Sequence, residues 1–310
     1  MIKNIKLVSQ FALKDKSHIN SNVLVKNGKM IAQNDYCGIS IDVDSDIDFC
    51  CNAQRLNQVL NNCDAGKLKI NIKNERLYIS SGRFKSNIEL IPIDNYFYPN
   101  SDEESINIQS DIINQLNILS QFTEPDDVRL AMRGVAITNG SLKATNGHML
   151  IKKDIDPIDI DEVIIPTKSI NLLSKVNAFI DSISINESSV FFYFNDGFLF
   201  SKSIDAKMPD LDRVIPDFND PIKIEPLIDP IKSIAPLCEG LSKVVVLGDC
   251  IKTQDGSTSF DGFNIKESAF NADYLLKIIN VADEIDFSNY PNPCPFRSDG
   301  IIGAIAGIKI

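Results

Sequence analysis

Apolar positions along this chain fall into a helical rhythm followed by a strand-like one, and the pair recurs three times. Asn52 can cap a helix through its side-chain oxygen. After it, Ala53, Leu56, Val59 and Leu60 share one face while Gln54, Arg55, Asn57 and Gln58 share the other. The strand-like run LKINIKNERLYIS, residues 68–80, follows at once. A second helix opens at Pro166 and Thr167, with Ile170, Leu173, Val176 and Ile180 inward and Lys168, Asn171 and Lys175 outward. Behind it, ISIN and VFFYFNDGFLFSKSID read as strands, the latter pair joined by an Asn-Asp-Gly turn. The third helix starts at Asn271, where Tyr274, Leu275 and Ile278 form the apolar stripe beside Asp273 and Lys277. EIDFSN and IIGAIAGIKI supply the strands after it.

The helix starts at Asn52, Thr167 and Asn271 lie 115 and 104 residues apart, a domain-sized period. Another amphipathic helix precedes each unit: NIKLVSQFAL, then SDIINQLNILSQF, then LIDPIKSIAPL. The pattern predicts an α+β chain of three tandem domains, each with two helices against antiparallel sheets. Polar YPNSDEES, residues 98–105, and Pro-rich PDFNDPIKIEP, residues 216–226, are natural linkers. They set the expected domains at residues 1–103, 104–218 and 219–310. The last is short: between Val244 and Phe270 there is little chain for a full set of strands, GSTSFDG reads as loop, and a strand or hairpin is expected to be missing.

Composition changes this picture in two ways. With 44% hydrophobic residues and no run of eighteen apolar ones, the chain is expected to be soluble and cytoplasmic, without membrane association. Its seven cysteines, Cys37, Cys50, Cys51, Cys63, Cys238, Cys250 and Cys294, are odd in number and lack metal-ligand spacing, so they are expected reduced and mostly buried. The net charge of −11 argues against a uniformly basic nucleic-acid binder. The outward helix faces nevertheless favour Asn, Gln, Ser and scattered cations. If they line one surface, Lys3, Lys6, Lys14, Lys16, Arg55, Lys168, Lys175, Lys232 and Lys277 give it weak positive potential, suited to sequence-blind phosphate contact. Ordinary solvated helix faces would give the same pattern.

Candidate chemistry is sparse. His148 sits beside Thr145 and Asn146, but there is no G-x-S-x-G or H-E-x-x-H, and His18 is the only other histidine. The run Asp42, Asp44, Asp46, Asp48 has calcium-loop spacing, yet Ile47 and Ala53 occupy the sixth and twelfth positions, where an EF-hand needs Gly and Glu. Its alternation with Ile41, Val43 and Ile47 predicts an exposed strand face instead. Neither metal nor cofactor is expected.

Particular residues resemble a known family. ATNGHML, residues 144–150, is similar to the ATDGHRL segment of the bacterial replicase sliding clamps, with Asn146 and Met149 as departures. IIPTKSINLLSKV, residues 164–176, resembles the family's VPxKxxxEL helix start. SIDAKMPDLDRVIP, residues 203–216, resembles L-I-D-G-x-F-P-D-Y-x-x-V-I-P, with Ala206, Met208 and Leu211 departing. LYISSGRFKSNIELIP is similar to the strand pair carrying SGRSxFxLxTLP, and FNADYLLKIINVADEIDF to FNxxYLxDxLxxxxxxxVxL. The matches keep the family's order, span nearly the whole chain, and imply a divergent member, viral or otherwise.

The resemblance implies a non-enzymatic processivity factor: three clamp domains per protomer, and two protomers closing head to tail into a ring around duplex DNA. Partners implied are DNA polymerase and the clamp loader, bound through short peptide motifs. It places Lys14 and Lys16 in a loop that nears DNA and Arg55 at a basic position opening the second helix. It places the peptide pocket at Met132, Thr145, Gly147, His148, Met149, Leu150 and Pro216, with Ile305, Ala306, Gly307 and Ile308 from the last strand. There the family has Met-Pro-Met where this chain has Ala306-Gly307-Ile308. Ring closure falls to a first-domain edge strand at about Arg83 to Ile91, including Lys85, Ser86 and Ile88. The rival readings are a clamp-fold peptide-binding module that does not encircle DNA and a small-molecule enzyme on an unrelated α+β fold.

Overall fold

The computed structural model describes residues 2–99, 104–108, 111–176, 178–240, 243–260 and 265–310. Its helices are short: α1 (Ile2–Val8), α2 (Ala53–Leu60), α3 (Ile112–Ser120), α4 (Thr167–Leu173), α5 (Glu225–Ile234) and α6 (Ala272–Ile278). The strands begin with β1 (Asn22–Lys26), β2 (Lys29–Gln33), β3 (Cys37–Asp42), β4 (Phe49–Asn52), β5 (Leu68–Lys73), β6 (Arg76–Ser81), β7 (Phe84–Ile91) and β8 (Ile106–Asn107). They continue with β9 (Gly134–Thr138), β10 (Ser141–Thr145), β11 (Met149–Asp154), β12 (Val163–Pro166), β13 (Ser182–Ile185), β14 (Ser189–Phe194), β15 (Gly197–Lys202) and β16 (Ile222–Lys223). The last are β17 (Val244–Leu247), β18 (Ile251–Lys252), β19 (Ser257–Thr258), β20 (Ser268–Asn271), β21 (Glu284–Ile285), β22 (Cys294–Ser298) and β23 (Ile301–Ile305).

Two compact units divide the chain, one formed by Met1–Asn114 with Lys168–Ser203, the other by Gln115–Thr167 with Ile204–Ile310. The first is built on one antiparallel sheet in the order β5-β6-β7-β4-β1-β2-β3-β15-β14-β13-β8. Helices α1 and α2 pack together over it, burying Ile5, Val8, Leu56 and Leu60 completely. β15 pairs with β3 from Gly197↔Ile41 to Ser201↔Cys37, so strands from the middle of the chain complete a sheet begun near its start. Gly197 makes this junction possible: its φ is +152°, and a Cβ there would lie 2.0 Å from the Ser40 carbonyl oxygen. Only glycine fits so close a backbone approach.

The second unit holds an eight-stranded sheet, β12-β9-β10-β11-β23-β22-β21-β16, and a four-stranded one, β19-β18-β17-β20. Here β11 pairs with β23 from Met149↔Ile305 to Lys153↔Ile301, again joining the middle of the chain to a later part. Helices α5 and α6 pack together with Leu227, Ile231, Leu275 and Ile278 buried. Phe270 meets Phe287 and Tyr290 at centroid distances of 5.4 and 5.9 Å, which closes the core beneath β20.

Local signals behave as their chemistry dictates. Asn52 Oδ1 accepts from the Arg55 backbone N–H at 3.0 Å, and Asn271 Oδ1 from that of Tyr274 at 3.2 Å, so both capping residues act as expected. All seven cysteines are free, with Cys37, Cys50, Cys51 and Cys294 buried. Burial pushes the Cys50 thiol up to about 12, so it stays neutral at ordinary pH.

Several expectations need correction. LKINIKNERLYIS is a hairpin and not one strand, because Asn74 and Glu75 both take positive φ, 49° and 55°, the conformation of a tight two-residue turn. The aspartate run leaves the sheet after Asp42. Residues 43–48 form an irregular connection in which Asp48 Oδ1 accepts from the Asn27 backbone N–H at 2.9 Å, so its alternation is not that of a strand. Helix α4 stops at Leu173, where the backbone N–H groups of Lys175 and Val176 turn back to Leu172 and Leu173. Val176 and Ile180 are buried without being helical. β22 was not anticipated; its register with β23 covers all five residues, Cys294↔Ile305 to Ser298↔Ile301. Among the described residues between Val244 and Phe270 the structure has β17, the two-residue strands β18 and β19 and the start of β20; Ser257 and Thr258 of GSTSFDG are β19. Residues 100–103 of the expected first linker, Ser110 at the start of the expected second-unit helix, and residues 261–262 of GSTSFDG lie outside the described residues.

Candidate functional site: an apolar pocket in the second unit

The turn from β10 to β11 is built by two short polar side chains. Asn146 Oδ1 accepts from the backbone N–H groups of His148 and Met149, both at 2.9 Å. Thr145 Oγ1 accepts from the Gly147 N–H at 3.0 Å and donates to the Met149 carbonyl at 2.8 Å. Asn and Thr favour such local bonds, which is why they specify a turn here. Gly147 takes φ +87° with its α-carbon under the Arg129 guanidinium; a Cβ would come within 2.9 Å of Nη1. Arg129 donates through Nε and Nη2 to Asp127 at 3.0 and 2.8 Å and through Nη2 to the Asn146 carbonyl at 3.2 Å. That guanidinium holds the Asp127 carboxyl down at about 2.

Beside this turn is a cavity of about 190 Å³. Met132, Thr145, Gly147, His148, Met149 and Leu150 line one part of it. Pro209, Leu211 and Val214 line another, and Pro293, Ala304 and Ala306 complete it. Leu150, Leu211 and Ala304 form a buried cluster against Ile215. The single turn Leu211–Arg213 is tied to the sheet by Asp212, whose carboxylate meets Lys152 Nζ at 2.8 Å and Lys143 Nζ at 3.6 Å. Lys143 and Lys152 are cross-strand partners on β10 and β11, so one carboxylate bridges both strands. Ala306 reaches the site because its N–H donates to the His148 carbonyl at 2.8 Å.

An aromatic wall stands next to it. His148 stacks on Tyr274, with centroids 6.0 Å apart and planes 19° from parallel. Lys277 Nζ lies 5.8 Å from the Tyr274 centroid. Burial pushes the Tyr274 phenol up, Glu124 and Asp273 adding to the effect, and burial pushes the Lys277 ammonium down. A mostly apolar concavity edged by a few polar groups suits the anchoring side chains of a short peptide.

The structure thus brings together Met132, Thr145, Gly147, His148, Met149, Leu150 and Ala306 of the expected pocket. It places the other four elsewhere. Ile305 points into the core with no exposed surface, since neighbours on a strand alternate sides. Gly307 packs on the Tyr290 ring, and Ile308 is fixed by its N–H to the Ala269 carbonyl at 2.7 Å. Pro216 is half-buried and not among the lining residues. Sequence reasoning missed Ala304, which period-two alternation with Ala306 identifies, and Pro209, Leu211 and Val214. Pro293 carries no local signal.

Expected DNA-facing residues fall on exposed positions with one exception. Lys14, Lys16, Arg55, Lys168 and Lys175 are exposed in the first unit, and Lys168 Nζ lies 5.8 Å from the Tyr36 ring centroid. Helices α1, α2 and α4 carry Lys3, Lys6, Arg55 and Lys168 and no carboxylate. In the second unit Lys232 is exposed and Lys277 is half-buried against Tyr274. There α5 and α6 also carry Glu225, Asp229 and Asp273, which offset the cations. On β7, Arg83 precedes the strand, Lys85 is exposed, Ser86 is half-buried and Ile88 is buried. Its residues Phe84–Glu89 pair with β6 on one edge, while pairing with β4 on the other is confined to Leu90 and Ile91 among the described residues.

No protein-family model and no curated protein sequence matches the chain. Solved structures do match it: a DNA polymerase sliding clamp from Bacillus subtilis at 18% identity and TM-score 0.84, and a Helicobacter pylori beta clamp bound to a DNA ligase peptide at 16% and 0.82. A sliding clamp from Pseudomonas aeruginosa bound to griselimycin matches at 19% and 0.81. Each comparison covers 100% of this chain and 97% of the other. With α-helices beside antiparallel sheets and agreement over its whole length, the chain has the fold of the bacterial DNA polymerase III β sliding clamps.

Proposed function

We propose that this protein is a DNA sliding clamp, a non-enzymatic processivity factor that encircles duplex DNA and tethers a polymerase through the apolar pocket. The observation that carries this reading is the pocket itself, a concave apolar site of about 190 Å³ on a clamp fold. Three domains, residues 1–103, 104–218 and 219–310, are read as tandem repeats that share sheets through the β3–β15 and β11–β23 pairings. Two copies close head to tail, the open stretch of β7 near Arg83, Lys85, Ser86 and Ile88 pairing with an edge of the next copy's last domain. Lys14, Lys16, Arg55, Lys168, Lys175 and Lys232 face the DNA. The carboxylate-free helices of the first unit support weak attraction to phosphates, which lets a ring slide. Lys277, half-buried beside Tyr274, is the least exposed of the cations expected to face the DNA.

Processivity follows from tethering. A polymerase held on the ring stays near its primer at high effective concentration, so each release is followed by rebinding. Polymerase and clamp loader are read as peptide-bearing partners of the one pocket, a reading supported by the Helicobacter pylori beta clamp being bound to a DNA ligase peptide. Alanines at 304 and 306 suit bulkier anchors than larger side chains would admit.

Light scattering tests the ring: a mass twice 34.4 kDa is expected, and a monomer at high concentration would remove the closed ring. Protein loaded on nicked circular DNA is expected to stay bound and to be lost when the circle is cut. Val214→Glu places a charge on an exposed part of the pocket rim. It is expected to abolish polymerase stimulation at unchanged molar mass, and undiminished stimulation would reject the pocket. The two-residue strands β18 and β19 favour a second reading, a clamp-fold peptide-binding module too short-edged to close a ring. A monomer that still binds partner peptides would establish it.

A further inference from the structure

The first unit exposes a surface that neither sliding nor peptide capture uses. Strands β5, β6 and β7 run antiparallel in the registers Lys69↔Ser80↔Lys85, Asn71↔Tyr78↔Asn87 and Lys73↔Arg76↔Glu89. Side chains alternate along a strand, so these three rows share one face, while Leu77, Ile79 and Ile88 turn into the core from the other. The face carries four cations against the single carboxylate of Glu89, on a chain whose net charge is −11. That inversion of sign is local and concentrated. Among the described residues Lys69, Lys73 and Lys85 have no ion-pair partner, and Arg76 Nε donates to Asn87 Oδ1 at 2.7 Å. Tyr78 stands at the middle of the central strand, 38% exposed, with an amide side chain on either side. A depression of about 330 Å³ over the face is lined by Lys69, Asn71, Lys73, Tyr78 and Lys85 among others.

We propose that this face binds single-stranded nucleic acid. A base stacks on the Tyr78 ring, the Asn71 amide meets its edge, and the flanking lysines meet the phosphates on either side. Successive rows lie about 6.6 Å apart along the strands, so cations sit to both sides of the aromatic position. A broad sheet face cannot enter a duplex groove, but it can receive bases already splayed from a single strand. An acidic peptide would satisfy the lysines and leave the uncharged row Asn71–Tyr78–Asn87 without a matching group. Pairing at the β7 edge uses backbone groups in the plane of the sheet, so the face stays open whether or not a ring forms.

Fluorescence anisotropy with the full chain and an end-labelled oligothymidylate of about 20 nucleotides tests this, because a ring cannot retain a short strand with free ends. Binding is expected to weaken with salt. Lys69→Glu with Lys73→Glu, both on β5 and away from the β7 edge, should lower the affinity and reduce the salt slope by about 1.4, near 0.7 for each phosphate left without its lysine. Tyr78→Ala should weaken binding about tenfold at unchanged slope, and Tyr78→Phe, which keeps the ring, should bind as the parent does. Equal binding by Tyr78→Ala, or equal affinity for a duplex of the same length, would overturn the proposal. So would capture of polyglutamate without the oligonucleotide, which would make the face a dock for an acidic protein.

Discussion

His148 and Tyr274 come from the β10–β11 turn and from helix α6, yet their rings stack 6.0 Å apart, so Tyr274 supports a residue that lines the pocket. The pair fixes where the turn stands relative to the helix, and its strength is that of an aromatic contact on a half-buried site. Tyr274→Ala is expected to cost roughly 1–2 kcal/mol through the absence of stacking and burial. Tyr274→Phe should cost about 0.5–1, since only the hydroxyl's bonding goes. Thermal melts of the two variants check this, and equal melting temperatures would show that the ring contact contributes nothing.

Two glycines give a contrast in what a methyl group meets. At Gly147 the new Cβ would approach the end of the Arg129 side chain, which can swing away, leaving chiefly the left-handed backbone cost of about 1–2 kcal/mol. At Gly197 it would meet the Ser40 carbonyl at 2.0 Å and the Ile41 α-carbon at 3.0 Å, and backbone cannot move without breaking the β3–β15 ladder. Gly197→Ala is therefore expected to lose roughly 3 kcal/mol or more and Gly147→Ala clearly less. Denaturant titration of both ranks them, and a reversed order would contradict the packing described.

How much of this was legible in the sequence depends on range. The caps at Asn52 and Asn271 and the Asn-Asp-Gly turn ending at Gly197 are written in neighbouring residues, whereas the Thr145–Leu150 side of the pocket was legible only through the resemblance of ATNGHML to a family segment. Other parts depend on distant contacts. Leu211 enters the pocket because Asp212 is held by Lys143 and Lys152, some sixty residues away in the chain, and no pattern within the 203–216 segment reveals that. Ile305 is misplaced when the last strand is read as a block instead of by alternation. The aspartates after Asp42 imitate a strand by period while Asp48 ties them to the turn at Asn27, an interaction that periodicity does not register.

The two caps separate stability from function. Asn52→Ala and Asn271→Ala each remove one side-chain acceptor from a helix N-terminus, so each is expected to cost about 1 kcal/mol. Only Asn271 heads the helix that carries Tyr274. Peptide affinity should therefore fall in Asn271→Ala and stay at the parent value in Asn52→Ala, where only the melting temperature drops. A matched loss of affinity in both would mean the pocket responds to global stability and not to the position of α6.

Asp286 supplies the pH dependence. It is buried, and its two oxygens accept the backbone N–H groups of Asn219 at 2.6 Å, Asp220 at 2.8 Å and Ser288 at 2.8 Å. Burial pushes its pKa up, but the Ser288 side chain and these N–H groups outweigh that and hold the carboxyl below its ordinary value. A depressed folded pKa means the carboxylate's stabilisation is complete above the unfolded value of about 3.9 and is lost as pH falls through the folded one. Asp286→Ala strands three donors and is expected to cost roughly 3 kcal/mol at neutral pH. The gap in melting temperature between the parent and Asp286→Asn should hold steady above about pH 5 and narrow below about pH 4. A gap that widens on acidification would reverse the sign of the shift and show that desolvation, not hydrogen bonding, governs this carboxylate.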